Sequence, residues 1–262
     1  MKYKDIQSVR TIYKGMLKSI DECFFKKKLK SLINTGHPDG TLLYDATIGT
    51  ALVYSKQFKL LLNNGFRNVI EIAPGEFSIA ALTLKAAILD RRLTYSAVDS
   101  DQELSRKLNA NHTFISLRTN IITEDFEAYL DKCQSFDSII CFEHSLEDLF
   151  LTHFATVIGI DYQSWRELLE HLDNIQLIPS RDSVVQFLTT MFDKIDKFTE
   201  EYKSCFVLHH YQRPYYECDI LRRIDEIILA EIPALFDNKW ININPSQNYV
   251  NEFFYCGGVL CH

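Results

Sequence analysis

Two histidines, an arginine and three tyrosines crowd the nine residues Leu208-His209-His210-Tyr211-Gln-Arg213-Pro-Tyr-Tyr216. Histidine titrates near neutral pH, so His209 or His210 can take a proton from a bound acceptor, with Tyr211 and Arg213 forming a wall beside it. A second group, Phe142-Glu143-His144-Ser145-Leu-Glu-Asp148, offers Glu143 or His144 as the alternative base and Asp148 as a substrate contact. Ser145, with Asp148 three residues on, also reads as the pair that caps a helix. A third group, Glu71-Ile-Ala73-Pro74-Gly75-Glu-Phe77, is an acid followed by a turn with a single glycine. It reads either as a cradle for a nucleotide-like ligand or as a plain strand-to-helix connection. Asp99, followed by Ser100, lies 28 residues after Glu71, and a carboxylate there can accept both hydroxyls of a ribose. Asp101 competes with it for that role. In Thr123-Glu124-Asp125-Phe126, either acid suits the start of a helix.

These residues do chemistry together only if the chain brings them to one edge. Short apolar runs at Val69–Ala73, Leu93–Val98, Ile121–Thr123, Phe136–Phe142 and Cys205–His209 predict strands. Between the early ones lie helical patterns at Ser78–Leu89, Gln102–Asn109 and Asp125–Leu130, and such alternation predicts a parallel sheet covered on both faces. Ligands in such sheets sit at the carboxyl ends of the strands, where every acid and histidine above falls. Trp240–Ile243 and Glu252–Cys261 close the sheet as an antiparallel pair at its edge. The stretch at about 145–204 is longer than one crossover helix needs. Two amphipathic patterns, through Trp165, Leu168, Leu169 and Leu172 and through Val184, Leu188, Met191, Ile195 and Phe198, predict an inserted helical cap. Residues 1–64 read as a helical lid, with a face of Val9, Ile12, Tyr13, Met16, Leu17 and Ile20, and a stop at Asn63-Asn64-Gly65.

In this order the parts resemble a class I, Rossmann-like S-adenosylmethionine-dependent methyltransferase. By motif the resemblance covers about 65–145, and by order of elements alone 205–262. It implies an open, mostly parallel seven-stranded α/β sheet with helices on both faces, a C-terminal antiparallel edge strand, the lid, and a helical insertion after the fourth strand. It divides the chain into the lid and a cofactor-binding domain at 65–262. Glu71 matches the family's acid and Gly75 its central glycine, while Ala73 and Phe77 stand where flanking glycines are usual. Ala73 suits the turn if its φ is negative; Phe77 would crowd a ligand at the helix start. The cofactor implied is S-adenosylmethionine, held by Glu71, Ala73, Pro74, Gly75, Phe77, Asp99, Ser100, Asp125, Phe126 and Glu143. Asp125 would receive the adenine amino group and Phe126 would pack the ring, unless Asp125 serves only as a cap. Tyr44 and Tyr54 would complete the acceptor pocket from the lid.

The formal charge of −7 is uneven: 1–40 carry nine Lys/Arg against four Asp/Glu, and the remainder 19 against 31. An acidic body disfavours a nucleic-acid track, whose affinity comes from neutralising phosphates. With no Asn-Pro-Pro-Tyr motif after the fourth strand, the acceptor expected is a small amine, amino acid or other metabolite, with a protein acceptor left open. Transfer or cyclisation of the aminocarboxypropyl arm, a nicotinamide-dependent oxidoreductase and a non-catalytic interaction module are the rival readings. The oxidoreductase would want the full Gly-x-Gly-x-x-Gly turn. Seven cysteines without close pairing, no apolar span and no apolar region after MKYKDIQSVR predict a cytoplasmic protein with no membrane contact; a monomer or homodimer is the expectation, though the sequence does not set the oligomeric state. No metal site is expected; the nearest pattern is Cys256, Cys261 and His262.

Overall fold

A computed structural model describes residues 65–75, 93–112, 118–163, 165–175, 178–211, 219–236, 241–242 and 252–258, with single positions at 54, 58, 78, 80, 81 and 84. The expected lid lies outside these residues except for Tyr54 and Phe58, and so do Tyr44, Phe77, Arg213, Cys261 and His262.

The strands are β1 (Asn68–Ile72), β2 (Thr94–Asp99), β3 (Arg118–Thr123), β4 (Ser138–Glu143), β5 (Cys205–Tyr211), β6 (Ile241–Asn242) and β7 (Glu252–Gly258). They form one seven-stranded sheet in the order β3-β2-β1-β4-β5-β7-β6. The first five are parallel, and β7 runs antiparallel to both of its neighbours. β6 and β7 form the antiparallel pair expected at the edge, but the C-terminal strand is not itself the edge strand as expected. Instead β7 enters between β5 and β6, leaving the two-residue β6 outermost. Gly257 makes this insertion possible: it faces Phe206 across the ladder, and a Cβ there would lie 2.2 Å from the ring.

Alternate residues of the central strands enter different cores, as the two-residue strand period requires. Ile70, Ile72, Ile140, Phe142, Phe206 and Leu208 face one core; Val69, Ile139, Cys141, Cys205 and Val207 face the other, with Tyr54, Phe58 and Tyr95. Helices cover the sheet: α1 (Gln102–His112), α2 (Phe126–Lys132), α3 (Leu146–Ile158), α4 (Trp165–Ile175), α5 (Arg181–Glu201) and α6 (Asp219–Phe236).

The stretch expected to be a two-helix cap therefore holds three helices, α3 to α5, and their buried residues belong to the first core. The apolar stripe of α5 explains why it lies on the sheet. Val184, Phe187, Leu188, Met191, Phe192, Ile195 and Phe198 are buried, each by roughly 1.5–3 kcal/mol of apolar transfer. Phe192 packs its ring within 4.8–6.4 Å of Phe142, Phe206 and Phe236, joining β4, β5 and α6. Such packing fixes the carboxyl ends of β1 to β5, where the polar residues gather. Among the described residues no helix is long and apolar enough to cross a membrane.

Candidate functional site

At the carboxyl ends of β1, β2 and β3 lies a groove. Its floor is Ala73, Gly75, Val98, Asp99 and Ser100, and its walls are Asp125 and Phe126 from the start of α2 and Asp148, Leu149 and Thr152 from α3, with Tyr162 beyond. Six of the residues expected around the cofactor thus share one cavity, and Asp148, expected on the acceptor side, joins them. Asp99 is 6% exposed. Its carboxylate accepts the Asp101 N–H at 2.9 Å and the Gly75 N–H at 3.3 Å, which ties the turn to the end of β2. Burial pushes its carboxyl up to about 6, against the opposing pull of those two N–H groups.

Asp125 does what the capping alternative required. It accepts the Glu127 and Ala128 N–H groups at 2.9 and 3.2 Å as the N-cap of α2, while still lining the groove. Phe126 is buried beside it. Gly75 has φ +65 with nothing within 4 Å of a would-be Cβ, so the backbone lies open to a ligand. Ala73 departs from expectation: its φ is +47, not negative. Its N–H bonds the Val98 carbonyl at 2.7 Å and holds the backbone in the left-handed region, at a cost of about 1–2 kcal/mol for a residue with a Cβ.

Glu71 and Pro74 do not line the groove. Glu71 is 1% exposed and lies beneath the turn, where its Oε2 accepts from the hydroxyls of Ser78 and Tyr95. Burial raises its carboxyl to about 7 despite these bonds. It anchors the loop to β2 and to the helical residues that follow.

The remaining polar residues divide between the two faces of the sheet, because neighbours along a strand point to opposite sides. On one face the Glu143 carboxylate meets His209 Nδ1 at 2.8 Å and accepts from the Tyr54 hydroxyl at 3.1 Å through the same oxygen. Burial, with the charge of Glu143 next, pushes the Tyr54 phenol well above its ordinary value, so the phenol stays a donor. On the other face His144 Nε2 lies 3.1 Å from Glu147, and His210 Nε2 lies 2.6 Å from Asp225. The His144 ring stacks on Tyr211 at 4.2 Å and lies 4.7 Å from that of His210. Its φ of +46 turns the chain sharply between β4 and α3.

The four residues expected to carry acid–base work are thus two pairs, Glu143 with His209 and His144 with His210. Ser145 stands at the N-cap of α3 but its side chain makes no capping bond, so the helix-cap pair with Asp148 does not form. Glu147 and Asp225 escaped the sequence reading. The signal for Asp225 was present: it falls on the apolar stripe of α6 with Leu221, Ile224 and Ile228.

No family model and no curated protein matches this sequence. Among solved structures, the bifunctional kinase-methyltransferase WbdD superposes with a TM-score of 0.50 at 8% identity, covering 80% of this chain. The fold is that of the class I methyltransferases. The chain spans only 38% of WbdD, so the likeness is to part of that protein. Looser likenesses are a candidate O-methyltransferase from Klebsiella pneumoniae and the O-methyltransferase from Bacillus cereus in complex with SAH. The first has a TM-score of 0.48 at 9% identity, covering 95% of this chain and 96% of that one. The second has a TM-score of 0.45 at 8% identity, covering 97% and 100%.

Proposed function

We propose that this chain is an S-adenosylmethionine-dependent methyltransferase whose acceptor is a small amine, amino acid or other metabolite, methylated at nitrogen or oxygen. The observation that carries this reading is Asp99: a carboxylate at the end of β2, on the floor of a groove in a class I methyltransferase fold. The donor set suits the cofactor. Asp99 would accept the ribose hydroxyls, Phe126 and Leu104 would offer apolar surface to a purine, and the Gly75 backbone would leave room for the arm beside it. The bound cofactor supplies an electrophilic methyl group on a sulfonium.

The chain's own residues must then align the acceptor, because positioning alone removes several kcal/mol of a displacement barrier. They must also take its proton. The Tyr54–Glu143–His209 set suits this: Glu143 fixes the ring through Nδ1, as a carboxylate orients the base in many acid–base sites. In a neutral imidazole donating from Nδ1, the Nε2 lone pair is the proton acceptor. His144 and His210, occupied with Glu147 and Asp225, are the weaker candidates.

Calorimetric titration with S-adenosylmethionine and S-adenosylhomocysteine, followed by a labelled-methyl screen of amines, amino acids and hydroxylated metabolites, tests the reading. Micromolar binding with label transferred to one acceptor class supports it. Absence of binding by either compound refutes it, and binding with transfer of the aminocarboxypropyl arm instead would change the reaction.

A further inference from the structure

We infer that His144, Glu147, His210 and Asp225 form a binding site for one divalent transition-metal ion, with zinc(II) as the best-matched class. Each residue offers one ligand atom, and the four atoms lie within 4.8 Å of one another. All four side chains are buried: His144 is 6% exposed and the other three 0%. They come from distant stretches of chain brought together by the fold. His144 follows β4, Glu147 lies in the first turn of α3, His210 is in β5, and Asp225 projects from the apolar face of α6.

The chemistry of the set is unusual for a core. Two carboxylates and two imidazoles gather here with almost no exposure, and buried ionisable groups of this kind are paired or coordinate metals. A divalent cation would balance the two carboxylates once both are ionised, as metal ligands are. Two imidazole nitrogens with two carboxylate oxygens form a four-ligand, all-protein set, the closed arrangement of structural sites. Imidazole favours zinc and its neighbours over calcium or magnesium, which take oxygen ligands.

The ligand atoms, within 4.8 Å of one another, would have to draw together by side-chain rotation to surround a tetrahedral ion. Bonds of about 2.0–2.1 Å put ligand atoms about 3.3 Å apart. His144 Nε2 and Glu147 Oε1 are 3.1 Å apart. The 2.6 Å contact between His210 Nε2 and Asp225 is a hydrogen bond, and a side-chain rotation that opens it by about 0.7 Å admits an ion. Tyr211, stacked on His144, holds that ring in place.

The site would clamp the first turn of α3 to β5 and α6. Asp148 and Leu149 of that turn wall the groove, so the ion would set the groove's width without touching the reacting atoms. This inference does not depend on which reaction the groove supports.

The test begins with metal analysis of full-length protein purified without chelator, followed by chelation and titration of the apo form with zinc(II) and, as a spectroscopic probe, cobalt(II). Calcium and magnesium serve as controls. The expected result is one equivalent of zinc bound at about 1 µM or tighter, with cobalt giving the intense visible absorption of a four-coordinate site. Glu147→Gln and Asp225→Asn, which keep side-chain shape, should each weaken zinc binding at least tenfold while leaving the circular dichroism spectrum unchanged. Should a variant misfold, the wild-type stoichiometry and cobalt spectrum still decide. Failure of folded wild-type protein to bind either metal would overturn the inference, and so would binding that survives both substitutions.

Discussion

The two halves of the sheet's carboxyl edge treat their acids in opposite ways. Over β1 to β3, Asp99 and Asp125 are held by backbone N–H groups and border an open groove. Over β4 and β5, Glu143, Glu147 and Asp225 are held by histidines in pairs and lie in closed surroundings. Backbone donors are fixed by the fold and leave oxygen lone pairs for a ligand. Histidine partners can instead change protonation or exchange a hydrogen bond for another bond. On the proposed reading the first half would hold a ligand, and the second would move a proton or bind an ion.

The sharpest way to break that contrast is Asp99→Ala. Two charge-assisted hydrogen bonds to a ribose are together worth about 3 kcal/mol, so cofactor affinity should fall by about 100-fold, as read by calorimetry. A drop in melting temperature with affinity intact would instead make Asp99 a loop anchor like Glu71.

The other half is probed by Glu143→Gln. Losing the carboxylate behind His209 should lower turnover by about 100-fold and leave cofactor affinity within about twofold. If cofactor affinity falls with turnover, the two halves are not separate in function.

Effects of pH are smaller and run in opposite directions in the groove and under it. On the proposed reading cofactor binding uses the ionised form of Asp99, so affinity should fall as pH drops below about 6, by up to about tenfold per unit, in calorimetry at pH 5 to 8. Glu71 has a folded value of about 7, raised from 4.5. A carboxyl raised on folding contributes stability below its unfolded value and loses it as pH rises. The melting temperature should therefore carry a declining component between pH 4.5 and 7 that Glu71→Gln removes.

The smallest expected effect is that of Ala73→Gly. Relief of the left-handed alanine, less the added freedom of glycine in the unfolded chain, should stabilise by about 0.5–1 kcal/mol in denaturant melts. No gain would mean that the turn relaxes once its Cβ is present.

Much of the groove's lining was legible because its residues are local. Asp99 ends β2 and Asp125 follows β3 by two positions, and strand ends can be read from apolar runs. The histidine half was legible as residue types but not as partners. His209 and His210 are adjacent in sequence yet face different cores, and Asp225 reaches His210 only because α6 folds back over β5. The sign of φ at Ala73 was hidden as well, since it follows from the hydrogen bond to Val98 on a different strand. The antiparallel pair at the edge was legible but not the order within it, because nothing local tells which of β6 and β7 meets β5.

The placement of β7 has a consequence for how the protein is made. The ribosome delivers β6 before β7, yet β7 is the strand that pairs with β5. Until it emerges, the hydrogen-bonding edge of Cys205–Tyr211 has no neighbour on that side, and β6 has nothing in the sheet to join. A nascent chain at that stage presents an unsealed strand rich in apolar side chains, the kind of edge that other chains add to. Any pause in translation between Asn242 and Glu252 would lengthen that exposure, and chaperone demand during synthesis would fall there rather than on the parallel strands made earlier.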